Sequence, residues 1–370
     1  METLLVYRDR LLPKSELGFM RRQYLGFTRL HPLWVGCRTD PGLAEASIDY
    51  RLLGRPGPLG ALDRALFKQL GVVPRVPPLA ALRPALVHAQ FGRGGALALP
   101  LAQRLGLKLA VTFHGGDAHK DKHYRQGLWR GIYARRLPAL INYASLFICV
   151  SSSVRDRLLA RGFPAAKLLV LPIGVELDTT PPEAAPLAPP YLLFVGRFVE
   201  KKGILVLLDA LRLLRAQGCT LPLVLVGDGP LLAEVRAGAA TLGPVVLPGW
   251  QSPAQVRAWM AGALCLLVPS IIGRGGDAEG LPSVAVEALG LARPVIGSTA
   301  AGLADLLTQD AGGLCVQAGD AAALAAAMAA LIGDPARAVR LGAAGRERVA
   351  EHFVAERQSA QLESVLLTLL

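Results

Sequence analysis

No apolar run in this 370-residue chain reaches the roughly 20 residues that a membrane-spanning helix needs. The richest, MAGALCLLVPSII at residues 260–272, is too short and carries a proline. The opening METLLVYRDRLLPKSE places charges directly after a short apolar run, so it reads as a first strand without the longer apolar core of a signal peptide. These absences lead us to expect a cytoplasmic protein. Cysteine is sparse: the five residues Cys37, Cys149, Cys219, Cys265 and Cys315 are odd in number and scattered, with no CxxC pair. Cys149, Cys265 and Cys315 lie in apolar contexts, which points to buried free thiols rather than disulfides or metal ligands. The dinucleotide fingerprint GxGxxG is also missing, and this disfavours a nicotinamide-dependent oxidoreductase. Aromatic residues make up only 6% of the chain, too few to interleave a basic surface as in a single-strand nucleic-acid binder.

Hydrophobic residues make up 52% of the sequence, which excludes disorder, and the length suits two domains of ordinary size. The net charge of +12 is unevenly divided. Residues 1–180 hold 26 Lys and Arg against 12 Asp and Glu, whereas residues 181–370 hold 14 against 16. One basic group comprises Arg8, Arg10, Lys14, Arg21, Arg22 and Arg29; a second comprises Lys120, Lys122, Arg125, Arg130, Arg135 and Arg136. Such a surface is either a solvated basic face with some arginines in ion pairs, or a contact for an anionic partner such as lipid head groups.

The charge changes sign at the proline-rich stretch 181–190, the best linker in the sequence. It separates an expected first domain, 1–180, from an expected second, 191–352, and a terminal helix from about 353 to 370 has no strand to feed and should pack back on the first. Strand-like runs alternate with helical stretches in both halves: ALVHAQF, LKLAVTFH and SLFICVS in the first, YLLFVG, LPLVLVG, ALCLLVPS and PVIGS in the second. Strict alternation implies α/β domains with parallel sheets buried on both faces, and ligands at the carboxyl ends of the strands. From residue 336 the chain reads as helical to its end, with a breakpoint near Gly345.

Three loops of the second half carry chemistry. In YLLFVGRFVEKKG, a strand ends at Gly196, Arg197 and Lys202 follow, and a helix starts near Gly203; a glycine turn, two cations and a helix N-terminus suit a phosphate as well as solvent. LVLVGDGPLL repeats the turn, with Asp228 between Gly227 and Gly229. In LLVPSIIGRGGDAEGLPSVAVEALG, a long loop bears Glu279, Gly280 and Leu281 offer backbone N–H groups, and Pro282 and Ser283 open a helix that carries Glu287 one turn in. A carboxylate there can accept two hydrogen bonds from adjacent hydroxyls, although loop and helix glutamates are usually solvated.

Taken in order, R-x4-K-G, GDGP and E-G-L-P-S-x3-E resemble the nucleotide-sugar domain of retaining glycosyltransferases of the GT4 family, which have the GT-B fold, and the likeness covers residues 190–350. VHAQFG, VTFHGGDA and the segment 149–178 resemble, more loosely, the acceptor domain of exopolysaccharide and colanic-acid types. LLPKSELGFMRRQYL is similar to their opening segment, with Ser15 and Glu16 where many branches have paired glycines. Gln90 stands where those enzymes commonly carry His.

The resemblance implies two doubly wound, Rossmann-like domains facing across a cleft. It implies that Arg197 and Lys202, with the turn at Gly196, bind the donor diphosphate and stabilise its charge as it leaves. Glu287 would hold ribose hydroxyls; Glu279, with Gly280 and Leu281 and followed by Pro282 and Ser283, would grip the transferred sugar. His114 would contact that sugar, while Ser15, Glu16, Gly115 and Gly116 would lie on the acceptor side. Asp228, beside Gly229, would meet the base or cap its turn; Asp117, His119 and His123 read as local loop residues. No cofactor and no metal are expected: Asp277-x-Glu279 has the spacing of a metal-binding DxD, yet it falls in the EGLP loop beside cations. The expected partners are a nucleotide-sugar donor, a glycan or lipid-linked acceptor and an anionic membrane surface under the basic half, at the inner face of the plasma membrane; nucleic acid is not expected. Two other readings stay open, a sugar-nucleotide epimerase or phosphorylase on the same fold, and a non-catalytic basic protein of the membrane surface.

Overall fold

The computed structural model describes the chain except residues 12–13, 40–47, 56, 58, 74–75, 125–130, 178–179, 181, 189 and 309–310, and except the side chains of Lys14, Ser15, Leu17, Val76 and Pro77. Arg125 and Arg130 of the second basic group thus lie outside the described residues, as does the side chain of Ser15. Two compact units divide the rest: Met1–Gly174 with Ala355–Leu370, and Val175–Val354.

The first unit is built on strands β1 (Glu2–Tyr7), β2 (Arg10–Leu11), β3 (Leu30–Gly36), β4 (Arg38–Thr39), β5 (Tyr50–Leu52), β6 (Leu86–Gln90), β7 (Leu109–Phe113), β8 (Leu146–Cys149) and β9 (Leu168–Val170). Seven of them form one sheet in the order β5-β3-β1-β6-β7-β8-β9, and β2 pairs with β4 separately. Every pairing is parallel. All residues of β6 and β7 are buried, as expected for central parallel strands covered on both faces, and this is why LVHAQ and LAVTF read as nearly continuous apolar runs. The helices are α1 (Lys14–Arg22), α2 (Leu59–Leu70), α3 (Val76–Ala80), α4 (Gly92–Leu105), α5 (Gly116–His119), α6 (Ile132–Tyr143) and α7 (Ser152–Ala160).

The second unit carries β10 (Tyr191–Val195), β11 (Leu223–Val226), β12 (Val245–Gly249), β13 (Ala263–Val268), β14 (Val295–Ser298) and β15 (Gly313–Val316) in the all-parallel order β12-β11-β10-β13-β14-β15. Its helices are α8 (Ile204–Ala216), α9 (Leu232–Ala239), α10 (Pro253–Gly262), α11 (Ser283–Gly290), α12 (Ala321–Gly333) and α13 (Pro335–His352). The chain reverses direction in strand order at β10 and β13, and there the loops that follow these two strands come together. Alternate strand residues feed two cores: Leu192, Phe194 and Leu225 pack with Leu207, Leu211 and Met328 on one face, and Leu193, Val224 and Leu266 pack with Trp259, Val286 and Leu289 on the other.

Three expectations are corrected. The units part at Gly174–Val175 rather than at 180, and the proline-rich stretch belongs to the second unit. Val175 forms a β-bridge with Val354, and Leu177, Ala185 and Leu187 pack on the second core, so extended backbone is recruited there by its apolar side chains. Gly345 does not break a helix: α13 runs through it, and the break falls at Phe353–Val354. Glycine is needed at 345 for close approach, since a Cβ would come within 2.6 Å of Leu289 Cδ2 and 2.9 Å of Gly312 Cα. Cys315 is exposed, whereas Cys37, Cys149 and Cys265 are buried; all five thiols are free.

The terminal helix α14 (Ala355–Leu367) belongs to the first unit. Its buried Glu363 accepts hydrogen bonds from the backbone N–H of Thr28, Arg29 and Leu30 at 2.7–3.0 Å, and Ser359 accepts one from Gly26 N. Among the described residues no single helix is long and apolar enough to cross a membrane.

Candidate active site

In the second unit the segment between β10 and α8 and the segment between β13 and α11 are laced together. Ile271 N donates to Lys201 O at 2.9 Å, and Arg274 donates to Glu200 Oε2 through its backbone N and its Nε. Gly203, at the head of α8, has φ of 66° and meets the carbonyl of Pro269 so closely that a Cβ would overlap its oxygen. Only glycine satisfies both conditions.

This lacing sets the charges. Lys202 Nζ lies 2.8 Å from Glu279 Oε2, Lys201 Nζ lies 3.0 Å from Glu279 Oε1, and Lys201 also reaches Asp277 Oδ1 at 3.4 Å. The Glu279 side chain is only 12% exposed. Burial pushes its carboxyl upward, but Lys202 and Lys201 outweigh that and hold it below the usual glutamate range. Burial likewise opposes the charge on Lys201, yet Glu279 and Asp277 raise it above its ordinary value. The sequence singles out Lys202 and Glu279, and the structure joins them. It passes over Lys201, for which no sequence signal existed beyond a second lysine in the same turn.

The remaining donor-side residues lie on α11 and on the loops that follow β10, β11 and β13. Gly196 follows β10, and Arg197 is exposed. Gly280 is buried and Leu281 half-buried before Pro282 caps α11; Ser283, its first residue, is exposed, and Glu287 is half-buried one turn on. Asp228 is exposed and accepts from Gly229 N at 2.6 Å, a turn-capping contact. The GDGP turn docks on the neighbouring strand's loop, Phe198 N donating to Asp228 O and Leu231 N to Phe198 O.

In the first unit His114 follows β7, with its ring 4.4 Å from that of Phe91 and 5.5 Å from that of Phe19. Its Nε2 is 2.7 Å from Gln90 Oε1. Burial pushes the imidazole down to about 3, and Arg8 and His88 add to the effect, so the ring is neutral at ordinary pH. Phe91 adopts φ of 66°, unusual for a bulky residue, directly before α4. Asp117 is more than a local loop residue: its buried carboxylate accepts from His114 N, Gly115 N and, across 25 positions, Gly92 N, so it fixes the β6–α4 and β7–α5 loops together. Gly115 caps α5 and Gly116 begins it. Glu16 is clamped by Arg8 through two bonds of 2.9 and 2.7 Å, and the Arg8 guanidinium lies over the Phe91 ring.

Two all-parallel α/β units, the second with lysines and carboxylates gathered at the carboxyl ends of its central strands, define a two-domain transferase of the GT-B type. The solved structures agree: that of Anabaena Alr3699/HepE in complex with UDP and glucose superposes with a TM-score of 0.77 at 18% identity, covering 100% of both chains. Sucrose-phosphate synthase from Thermosynechococcus elongatus gives 0.74 at 24% identity, over 100% of this chain and 99% of that one. The family model described as glycosyl transferases group 1 matches residues 189–334, and that described as glycosyltransferase family 4 matches residues 25–179. The amylovoran biosynthesis glycosyltransferase AmsK of Erwinia amylovora is 31% identical over 292 residues, 75% of this chain and 69% of that protein. The putative colanic acid biosynthesis glycosyltransferase WcaL of Salmonella typhimurium is 32% identical over 299 residues, 76% and 70% respectively. The chain belongs to the family 4 glycosyltransferases.

Proposed function

We propose that this glycosyltransferase moves a sugar from a nucleotide-diphosphate sugar to a glycan or polyprenyl-diphosphate-linked acceptor in the synthesis of a cell-surface polysaccharide, with retention of configuration and without a metal. The observation that carries this reading is the pairing of Lys202 and Lys201 with Glu279 at the ends of β10 and β13. A cation and a hydroxyl-accepting carboxylate held side by side suit the junction of a sugar and a diphosphate. Lys202, with Arg197 and the turn at Gly196, would take the diphosphate and stabilise the charge that grows on it. Glu279 would then accept sugar hydroxyls beside the N–H groups of Gly280 and Leu281, and Glu287 those of the ribose.

In the proposed step the bond from the anomeric carbon to the phosphate oxygen breaks, with its electron pair going to the phosphate. The acceptor oxygen bonds to the same face of the carbon, and the acceptor's proton passes to the departing phosphate. No carboxylate nucleophile is required. Asp277 and Glu279 are both engaged by lysine ammonium groups, which supports charge neutralisation by lysine in place of a metal ion. Relatives named for amylovoran and colanic acid biosynthesis support the polysaccharide assignment. For location we propose the cytoplasm, with the basic face of the first unit, where Arg21 and Arg29 are exposed, resting on an anionic membrane.

The test has two arms. A thermal-shift panel of UDP, GDP and ADP sugars identifies the donor, because a ligand of the folded state raises the melting point. Timed NMR of the product's anomeric linkage, in buffer with excess EDTA, then reads stereochemistry and metal need together. Retention with full activity is expected; inversion, or loss restored by manganese, would overturn the respective claim.

A further inference from the structure

Five side chains of the first unit form one continuous hydrogen-bonded chain from the centre of the sheet to His114. Thr112 Oγ1 lies 2.7 Å from His88 Nε2, His88 Nδ1 lies 2.9 Å from the Tyr24 hydroxyl, that hydroxyl lies 2.6 Å from Gln90 Nε2, and Gln90 Oε1 lies 2.7 Å from His114 Nε2. His88, Gln90 and Thr112 are almost wholly buried. Each group's role follows from the inventory of donors and acceptors. An amide nitrogen only donates, so the Tyr24 oxygen accepts from Gln90 and spends its own hydrogen on His88 Nδ1. His88 then carries its proton on Nε2 and donates to Thr112. The second Gln90 N–H faces Gln23 Oε1 at 3.2 Å. The structure places the Gln90 oxygen 2.7 Å from His114 Nε2, and an amide oxygen only accepts.

We propose that Gln90 is the positioning residue of His114: it holds the proton on Nε2, so that the neutral ring presents Nδ1 as a hydrogen-bond acceptor for a hydroxyl of the carbohydrate substrate. Among the described residues Nδ1 has no hydrogen-bond partner. The ring cannot swing freely, because Phe91 and Phe19 flank it and Asp117 accepts its backbone N–H. This assignment rests on the glycosyltransferase reading above and narrows it, giving His114 the part of an acceptor of a hydroxyl hydrogen and denying it that of a proton donor.

The charged and titratable groups around His114 are Arg8, itself paired with Glu16, the carboxylate of Asp117 and the neutral His88. A glutamate at position 90 would keep an acceptor at Nε2 and add a negative charge, stabilising the protonated ring and raising its pKa.

The experiment compares wild type, Gln90→Leu and Gln90→Glu by long-range 15N NMR of the His114 ring and by the pH dependence of kcat/KM, with melting temperature as a check on folding. Wild type should show the neutral Nε2–H form from pH 5 to 8. Gln90→Leu should mix the two tautomers and lower kcat/KM roughly tenfold or more, as misplacement of a substrate-contacting group does. Gln90→Glu should keep the Nε2–H form and bring a new acid limb into the profile. Should Gln90→Leu fail to fold, the Gln90→Glu profile and the wild-type tautomer decide the matter. An Nδ1–H tautomer in the wild type, or a Gln90→Glu profile identical to wild type, would overturn the proposal. The NMR readout needs no donor sugar, so a failure of the positioning role is distinguishable from a failure of the functional assignment.

Discussion

Lys202 Nζ and Glu279 Oε2, 77 positions apart in sequence, are 2.8 Å apart in space, and Lys201 holds the other carboxylate oxygen at 3.0 Å. Two lysines on one buried carboxylate leave one of them free to move to an incoming phosphate while Glu279 stays neutralised. Replacing Lys202 with Met should lower kcat by about a hundredfold or more, the range for loss of an electrostatic contact to a leaving group. Lys201→Met, which acts through Glu279, should cost about tenfold and raise KM for the donor sugar. Steady-state kinetics on both variants checks this, and equal losses would contradict the division of labour.

Gly203→Ala places a Cβ on the carbonyl of Pro269 at a backbone conformation with positive φ. We expect a loss of stability on the order of 3 kcal/mol and weaker donor binding, because the Lys202 and Glu279 segments are forced apart. Urea denaturation and calorimetric titration with the donor nucleotide would read both.

Glu363 satisfies three consecutive backbone N–H groups and the Thr28 hydroxyl. Glu363→Ala leaves those donors without their acceptor, and the cost should be about 2–4 kcal/mol. Amide hydrogen exchange should show α14 and residues 28–30 losing protection together, while β10 and β13 are unaffected.

Acid should destabilise the first unit before its carboxylates titrate. His88 and His114 are both held near 3 by burial in the folded state, against about 6.5 unfolded. Between those values the unfolded chain binds more protons, so stability present above pH 6.5 is lost progressively as pH falls toward 3. Glu363, lowered in the folded state, adds a second loss below about pH 4.3. Melting temperature measured from pH 7.5 to 4 should already decline between 6.5 and 5; a flat curve there would be inconsistent with buried neutral imidazoles.

Reversing the charge of Arg21, Arg22 and Arg29 should weaken sedimentation with anionic vesicles, at about 1 kcal/mol per residue near the surface, while turnover on a soluble acceptor analogue is unchanged. Equal loss of both would separate these arginines from any membrane role.

The sequence by itself determined the architecture and the outline of the donor loops. Buried parallel strands must be apolar on both faces, so YLLFV, LVLV and ALCLLV announce a doubly wound sheet without reference to any partner. R-x4-K-G and E-G-L-P-S-x3-E stand directly after such strands, and a local pattern suffices to find them. Other features depend on which strands lie side by side, which no local pattern records. The adjacency of β10 and β13 turned Lys201 into a partner of Asp277 and Glu279, and that of β6 and β7 turned Gln90 from a departure into the acceptor facing His114. Asp117 became a tie between two loops for the same reason. The domain boundary moved from the prolines to Val175 because a bridge to Val354 and three apolar side chains outweigh composition, and Gly345 proved to mark a crossing of backbones, a demand set by Leu289 and Gly312 and invisible along the chain.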